Sequence, residues 1–408
     1  MAIPTHDLNA QQKKQTSIGY YATFIALGLI TACLGPALPY LAEQTGTALS
    51  AISSLFISRS AGLILGSLLS GRLYDRLPGH PILVAGLGLL TLTSLLTPMP
   101  ALLWVLLVIT FLSGIGQSML NVGGNTLLIW LHGAQVAPWM NGLHFFFGTG
   151  TILAPLLITS IITAGGGLTW AFAAISLFML PPLVLMLRAP AVLPQPAGQN
   201  DNSQRLNVSG LVFLLALFFF CYAGVVQGYG SWIYTYALRM LDASTQTAGL
   251  LTSTFWGMFT LGRLLIIPFS ARLRPQSILW GSLAGSLVSV VLLMLFPQTA
   301  VSIWLGTVLL GLSITPLFAA TMAFAERRLC ITGQINSLFS VGLSLGFVAM
   351  PWLVGQFFES AGPPVLLVIL LITLLVGVVV LWALARIPPD SDRSRLALVD
   401  DCGKVKTS

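Results

Sequence analysis

The sequence predicts an all-α polytopic membrane protein, with twelve transmembrane helices in two pseudo-symmetric six-helix bundles. Three observations predict it. Apolar residues make up 56% of the chain and charged residues 7%, against roughly 25% charged in soluble domains. Runs of about 18 or more apolar residues, long enough to cross a bilayer as a helix, recur along almost the whole length. One polar, proline-broken segment near the middle divides those runs six and six. A transmembrane β-barrel is excluded, because its strands would show short segments of period two.

The spans fall at roughly 18–41, 50–72, 80–98, 101–128, 138–163, 167–187, 207–237, 246–271, 277–296, 299–325, 332–357 and 363–385. The first is too long for a signal-peptide core and has no small-residue cleavage site, so it is expected to stay. Residues 188–206 hold Ala-Pro, Leu-Pro-Gln-Pro-Ala-Gly and a polar Gln-Asn-Asp-Asn-Ser-Gln tail, which neither continues a helix nor buries itself. The expected division is therefore 1–187, a linker at 188–206, 207–387, and a tail at 388–408. The halves are weakly similar. Ser70-Gly71-Arg72-Leu73 falls on Ser270-Ala271-Arg272-Leu273, and Gly150 to Pro155 falls on Gly346 to Pro351 with both Gly and Pro kept.

The net charge of +7 reflects topology, with no need to invoke nucleic acid. If both termini are cytoplasmic, all but three of the 18 Lys and Arg residues lie on the inside, as the positive-inside rule requires. Arg239 alone is outside, and Arg59 and Arg263 lie within spans. A multi-pass plasma-membrane protein follows, in the inner membrane if the source is bacterial. Cys33, Cys221, Cys330 and Cys402 have no metal-ligand or disulfide spacing. No metal, no cofactor and no enzyme constellation is expected.

Between the second and third spans lies Gly71 to His80, G-R-L-Y-D-R-L-P-G-H. It resembles the loop signature of the major facilitator superfamily, G-x-L-x-D-R-x-G-R-K. Gly71, Leu73, Asp75 and Arg76 match; Gly79 sits one place late, and Pro78 and His80 depart. The resemblance implies alternating access between two six-helix halves, with the substrate near the midplane. It also implies a gating role for Gly71, Arg72, Asp75 and Arg76. Asp75 would latch the cytoplasmic side against the positive N-terminus of the eleventh span near Thr332. The plainer alternative is that these charges cap a loop and set topology.

Polar side chains inside spans are costly and mark function by default. The fourth span carries Gln117, Asn121 and Asn125 on one helix face. The fifth carries Asn141 and His144, the seventh Gln227, Tyr229 and Trp232, the eighth Trp256, and the eleventh Asn336 with Ser340 and Ser344. Amides donate and accept as sugar hydroxyls do, and aromatic rings cover the apolar faces of a pyranose. Packing between helices is the competing account of each. The Ser58, Gly62, Gly66, Ser70 stripe is assigned to packing, being all small.

The fifth span, N-G-L-H-F-F-F-G-T-G-T-I-L-A-P-L, and the seventh, Q-G-Y-G-S-W-I-Y-T-Y-A, resemble segments of the sodium-dependent glucose transporter and fucose permease branch. Gly123-Gly124-Asn125 and Gly262-Arg263 are similar too. The resemblance implies transport of a monosaccharide or similar polyol. It implies substrate contacts at Gln117, Asn121, Asn125, Asn141, His144, Gln227, Tyr229 and Trp232, to which the residue pattern adds Trp256 and Asn336. The chain departs from fucose permeases in having no mid-membrane carboxylate; Asn121 stands where an acid is expected. Either the protein is a facilitator, or another group couples transport to protons or sodium. His144 is the only intramembrane histidine and titrates near neutrality when free, but a neutral hydrogen-bonding role is the preferred reading. Arg59 and Arg263 are the objection to a neutral substrate: if both face the site, an organic anion or drug is carried instead. A non-transporting receptor is the remaining class. The partners expected are a small-molecule substrate and the lipid bilayer, with the chain a monomer.

Overall fold

The computed structural model describes residues 2–3, 9–189, 191–192, 210–270, 272–329 and 333–387. The expected tail at 388–408, most of the linker, Ala271, Cys330, Thr332 and Cys402 lie outside the described residues.

The first span is two helices. α1 (Ala10–Ala32) starts at a reciprocal cap, in which Asn9 and Gln12 each accept the other's backbone N–H through a side-chain oxygen. It ends where Pro36 removes the N–H that would bond the Ala32 carbonyl. α2 (Leu34–Thr45) continues at 45° to it and stops at Gly46, whose φ of 61° suits a residue without Cβ. α3 (Leu49–Ile52) and α4 (Ser54–Arg76) form the second span. α5 (Gly79–Leu96), α6 (Leu103–His132), α7 (Val136–Thr163) and α8 (Gly167–Arg188) complete the first half. The second half holds α9 (Gly210–Met240), α10 (Thr245–Ser270) and α11 (Pro275–Leu295). It closes with α12 (Ala300–Ile314) and α13 (Pro316–Glu326) as one broken span, then α14 (Gly333–Phe358) and α15 (Val365–Arg386).

Among the described residues, ten spans are singly long and apolar enough to cross a membrane, and the bent α1–α2 pair makes an eleventh. α10, 26 residues carrying Gln246, Thr252 and Arg263, completes twelve. The predicted boundaries fall within a few residues except at the first span, which starts earlier and bends. One addition to the all-α expectation is a two-residue parallel ladder, β1 (Ala2–Ile3) on β2 (Ala191–Val192), which ties the N-terminus to the chain leaving α8.

The repeat has a physical basis in helix crossings. A Cβ at Gly28 would strike the Phe147 carbonyl and lie 2.9 Å from the Thr151 nitrogen, so α1 and α7 meet backbone to backbone. The offset that takes Gly150 to Gly346 takes Gly28 to Gly224, and a Cβ at Gly346 would lie 2.9 Å from the Gly224 nitrogen. α9 and α14 therefore repeat the α1–α7 crossing. The small stripe on α4 does pack: a Cβ at Gly62 would strike the Phe111 carbonyl of α6, and Ser58 Oγ donates to the Leu107 carbonyl. Small residues let membrane helices approach this closely.

Call the face where α1 begins the near face, and the face with the α2–α3 turn the far face. Toward the far face the halves touch. Tyr40 of α2 shares a 2.9 Å hydrogen bond with Tyr234 of α9, and Ser253 of α10 donates to the Ile152 carbonyl of α7 at 2.9 Å. Toward the near face they part, leaving Asn121, Asn141, Arg263, Asn336 and Ser340 exposed.

Candidate functional site

The predicted polar residues divide into those spent on helix packing and those that are not. Gln117 is buried; its Nε2 donates to Ser113 Oγ at 3.2 Å and its Oε1 accepts from Thr31 Oγ1 at 3.5 Å. Gln227 is likewise buried and donates to Ser231 Oγ one turn on, at 2.9 Å. Tyr229 and Trp232 are both 0% exposed. The Tyr229 hydroxyl bonds Thr307 Oγ1 at 2.6 Å, and Trp232 Nε1 donates to the Pro351 carbonyl at 2.8 Å while its ring stacks on Phe358. In this conformation Gln117, Tyr229 and Trp232 bond across to neighbouring helices and Gln227 bonds within its own, so all four are buried here and not exposed as the expectation of substrate contact would have them. A buried polar atom needs a partner; neighbouring helices supply it for Gln117 Oε1, Tyr229 and Trp232, and the same helix supplies it for Gln227 and Gln117 Nε2.

The other residues stay open. Asn121 is exposed and Asn125 half-buried; the Asn125 amide donates to the Asn121 side-chain oxygen at 3.0 Å and to its carbonyl. This is a one-turn amide pair along a single helix. Asn141 is exposed on α7, and His144, one turn on, packs edge-on against Phe24. On α14, Asn336 and Ser340 are exposed, with Ser340 Oγ bonded only within its helix. Trp256 is buried on α10 against Phe255 and Phe259, and its indole N–H has no partner.

The two arginines have different fates. Arg59 is buried in α4 and donates to the Thr31 carbonyl at 3.1 Å, at the end of α1 where the helix breaks. A cation at a helix C-terminus is favourably placed, although its Nε has no partner. Arg263 is exposed on α10, stands 4.8 Å over the Phe259 ring, and lies within electrostatic range of His144 and Tyr222. Those two residues lie on α7 of one half and α9 of the other.

Arg72, Asp75 and Arg76 are exposed in the last turns of α4, and nothing crowds Gly71. With the near face parted, the acid points to solvent. Tyr222 and Phe259 were not anticipated; Tyr222 sits one helical turn from Phe218 in an aromatic run that read only as apolar. Among the described residues, no cluster of His, Cys, Asp or Glu could hold a metal ion.

Two helical bundles joined at one face and parted at the other, with unspent polar groups along the opening, define a membrane transporter. The chain belongs to the major facilitator superfamily, whose family pattern matches residues 20–340. It is 29% identical over 372 residues to the sodium-dependent glucose transporter 1A of Mus musculus, covering 82% of this chain and 88% of that one. It is 31% identical over 379 residues to the sodium-dependent glucose transporter 1 of Danio rerio, covering 83% of this chain and 64% of that one. It is 25% identical to the human major facilitator superfamily domain-containing protein 4A, covering 85% and 87%. A crystal structure of the nucleoside transporter NupG superposes with a TM-score of 0.74 at 15% identity, over 92% of this chain and 99% of that one. The fold and relatives are those of transporters, not enzymes.

Proposed function

We propose that the protein carries a monosaccharide or similar small polyol across the membrane by alternating access, with residues 1–187 and 207–387 rocking about a site between them. The observation that carries this reading is the set of amide and hydroxyl groups left unspent by packing: Asn121, Asn125, Asn141, Asn336 and Ser340. Such groups meet a neutral polyhydroxylated solute without requiring a charge. The partnerless Trp256 indole is an amphipathic surface of the kind that covers a sugar face. Relatives named as sodium-dependent glucose transporters support the same class. By the positive-inside rule the near face is cytoplasmic, with both termini there. The protein sits in a plasma membrane, or the inner membrane of a bacterium, as a monomer. Asp75 with Gly71, Arg72 and Arg76 forms the near-face gate. No described span carries a mid-membrane carboxylate, so proton coupling through one is set aside in favour of facilitated transport or sodium coupling.

A second reading is favoured by one residue. Arg263 is exposed beside His144 and would suit the carboxylate of a sugar acid. Arg59 does not add to it, being held on the Thr31 carbonyl. Counterflow of labelled hexoses and deoxyhexoses into preloaded proteoliposomes separates the readings. Accumulation of one neutral sugar, suppressed by Asn121→Ala, is expected. A flat response across that panel from folded protein, with counterflow of a uronic acid, would overturn the neutral-sugar reading.

A further inference from the structure

The far-face contact contains a side-chain-to-backbone clamp that does not belong to the signature loop. Glu359, just past the end of α14, accepts the backbone N–H of Leu49 through Oε1 at 3.0 Å. Leu49 begins the continuous span 49–76, so its N–H is one of the first-turn donors that no helix satisfies internally. One turn back on α14, Gln356 Nε2 donates to the Ser50 carbonyl at 2.9 Å and to Ser53 Oγ at 3.2 Å. Below that, a Cβ at Gly355 would strike Ser53 Cβ, so the helices meet with no space for a side chain. Gly355 and Gln356 in the last turn of α14, with Glu359 just beyond it, thus engage the start of the second span, and every bond crosses from one half to the other.

The same two spans carry an acid at their other junction. Asp75 lies in the last turn of α4, at the near face, where α14 begins; it is exposed there and the halves are parted. We infer that Glu359 is the far-face counterpart of Asp75. The two acids, at opposite ends of the span 2–span 11 pair, would then close the protein alternately, each taking up backbone donors of the other half as its own face shuts. The clamp must break for the far face to open, because its donors and acceptors lie on different halves. Glu359 also borders a mouth of about 540 Å³ shared with Glu43 and Arg239. Water therefore reaches the clamp and can solvate the carboxylate on release, so the clamp is reversible. The inference rests on alternating access and not on the identity of the substrate.

The test uses the full chain in proteoliposomes and needs no substrate. Thr159 is buried on the seam between α7 and α10 near the far face, where a Cβ at Gly249 would strike it. A thiol introduced by Thr159→Cys reports far-face opening through its reaction with a membrane-impermeant maleimide, with the parent chain as the blank. Glu359→Ala is expected to raise the labelling rate about threefold or more, the scale of a hydrogen bond to a charged group discounted for solvent access. Glu359→Gln, which keeps the acceptor and loses the charge, is expected to fall between. Adding Asp75→Asn, which weakens closure of the other face, is expected to return the rate toward the parent value. If Glu359→Ala does not yield monodisperse protein, Glu359→Gln decides alone. Labelling unchanged in the folded Glu359 variants would overturn the inference and leave the transport reading intact, since counterflow measures that separately.

Discussion

The glycines on the seam between the halves can be separated from those inside each half by a single added methyl group. A Cβ at Gly35 of α2 would lie 2.8 Å from the Ser231 carbonyl oxygen of α9 and 3.1 Å from its Cα. Both are backbone atoms of the other half, so the crowding exists only while the far face is closed. Gly35→Ala adds helix propensity worth up to about 1 kcal/mol, but equally in both conformations, and so does not enter their ratio. Crowding of this kind costs about 1–3 kcal/mol, and about 1.4 kcal/mol is tenfold in a population. Gly35→Ala should therefore enrich the far-open state about tenfold, read as faster maleimide labelling at Thr159→Cys. Gly28→Ala is the control. Its Cβ would strike the Phe147 carbonyl within the same half, which crowds every conformation. It should lower the thermal midpoint in detergent without changing the labelling ratio. If Gly35→Ala leaves labelling unchanged, or melts as early as Gly28→Ala, the reasoning that the α2–α9 contact is conformation-specific fails.

Two further outcomes are expected. Arg263→Gln should leave counterflow of neutral hexoses within about threefold while reducing that of a sugar acid about tenfold or more, the worth of a charge-assisted bond; equal losses in both would mean that Arg263 serves packing. Tyr229→Phe should cost about 1 kcal/mol of stability by deleting the bond to Thr307 and leave the sugar KM unchanged; a raised KM with an unchanged thermal midpoint would return Tyr229 to the site.

The spans were legible because hydropathy and length are properties of consecutive residues, and the bilayer imposes both. The break in the first span was harder to see. Pro36 marks it, but Pro is tolerated inside transmembrane helices when neighbours satisfy the freed carbonyls, and sequence does not show the neighbours. Arg59 is one of them, reaching the Thr31 carbonyl from the next span. The site was half legible for a related reason. Helical spacing says which residues share a face, not whether that face meets a helix or the opening. Asn121 is exposed and Asn125 half-buried, whereas Gln117, one turn earlier on the same stripe, met α1. Tyr229 and Trp232 looked like sugar platforms by type, yet their polar atoms found Thr307 and the Pro351 carbonyl within their own half.

The two intramembrane arginines show why counting charges in spans is insufficient. The repeat offset of 196 places Phe255 opposite Arg59 and Ser67 opposite Arg263, and the offset of 200 that aligns the near-face ends of the same two spans places Phe259 and Leu63 there, so at either offset neither cation has a symmetric counterpart and neither is demanded by the shared architecture. Arg59 sits at the crossing where a Cβ at Gly114 would strike its own carbonyl; the equivalent crossing in the second half, Gly311 on Phe255, does without a charge. What differs is the first span, whose break exposes helix-end carbonyls that a cation can satisfy. Arg263, by contrast, is exposed on the second half, within electrostatic range of His144 of the first. A symmetric scaffold thus buries one arginine as a cap on the broken first span and leaves the other exposed, and of the two only the exposed one is free to serve the proposed anion reading.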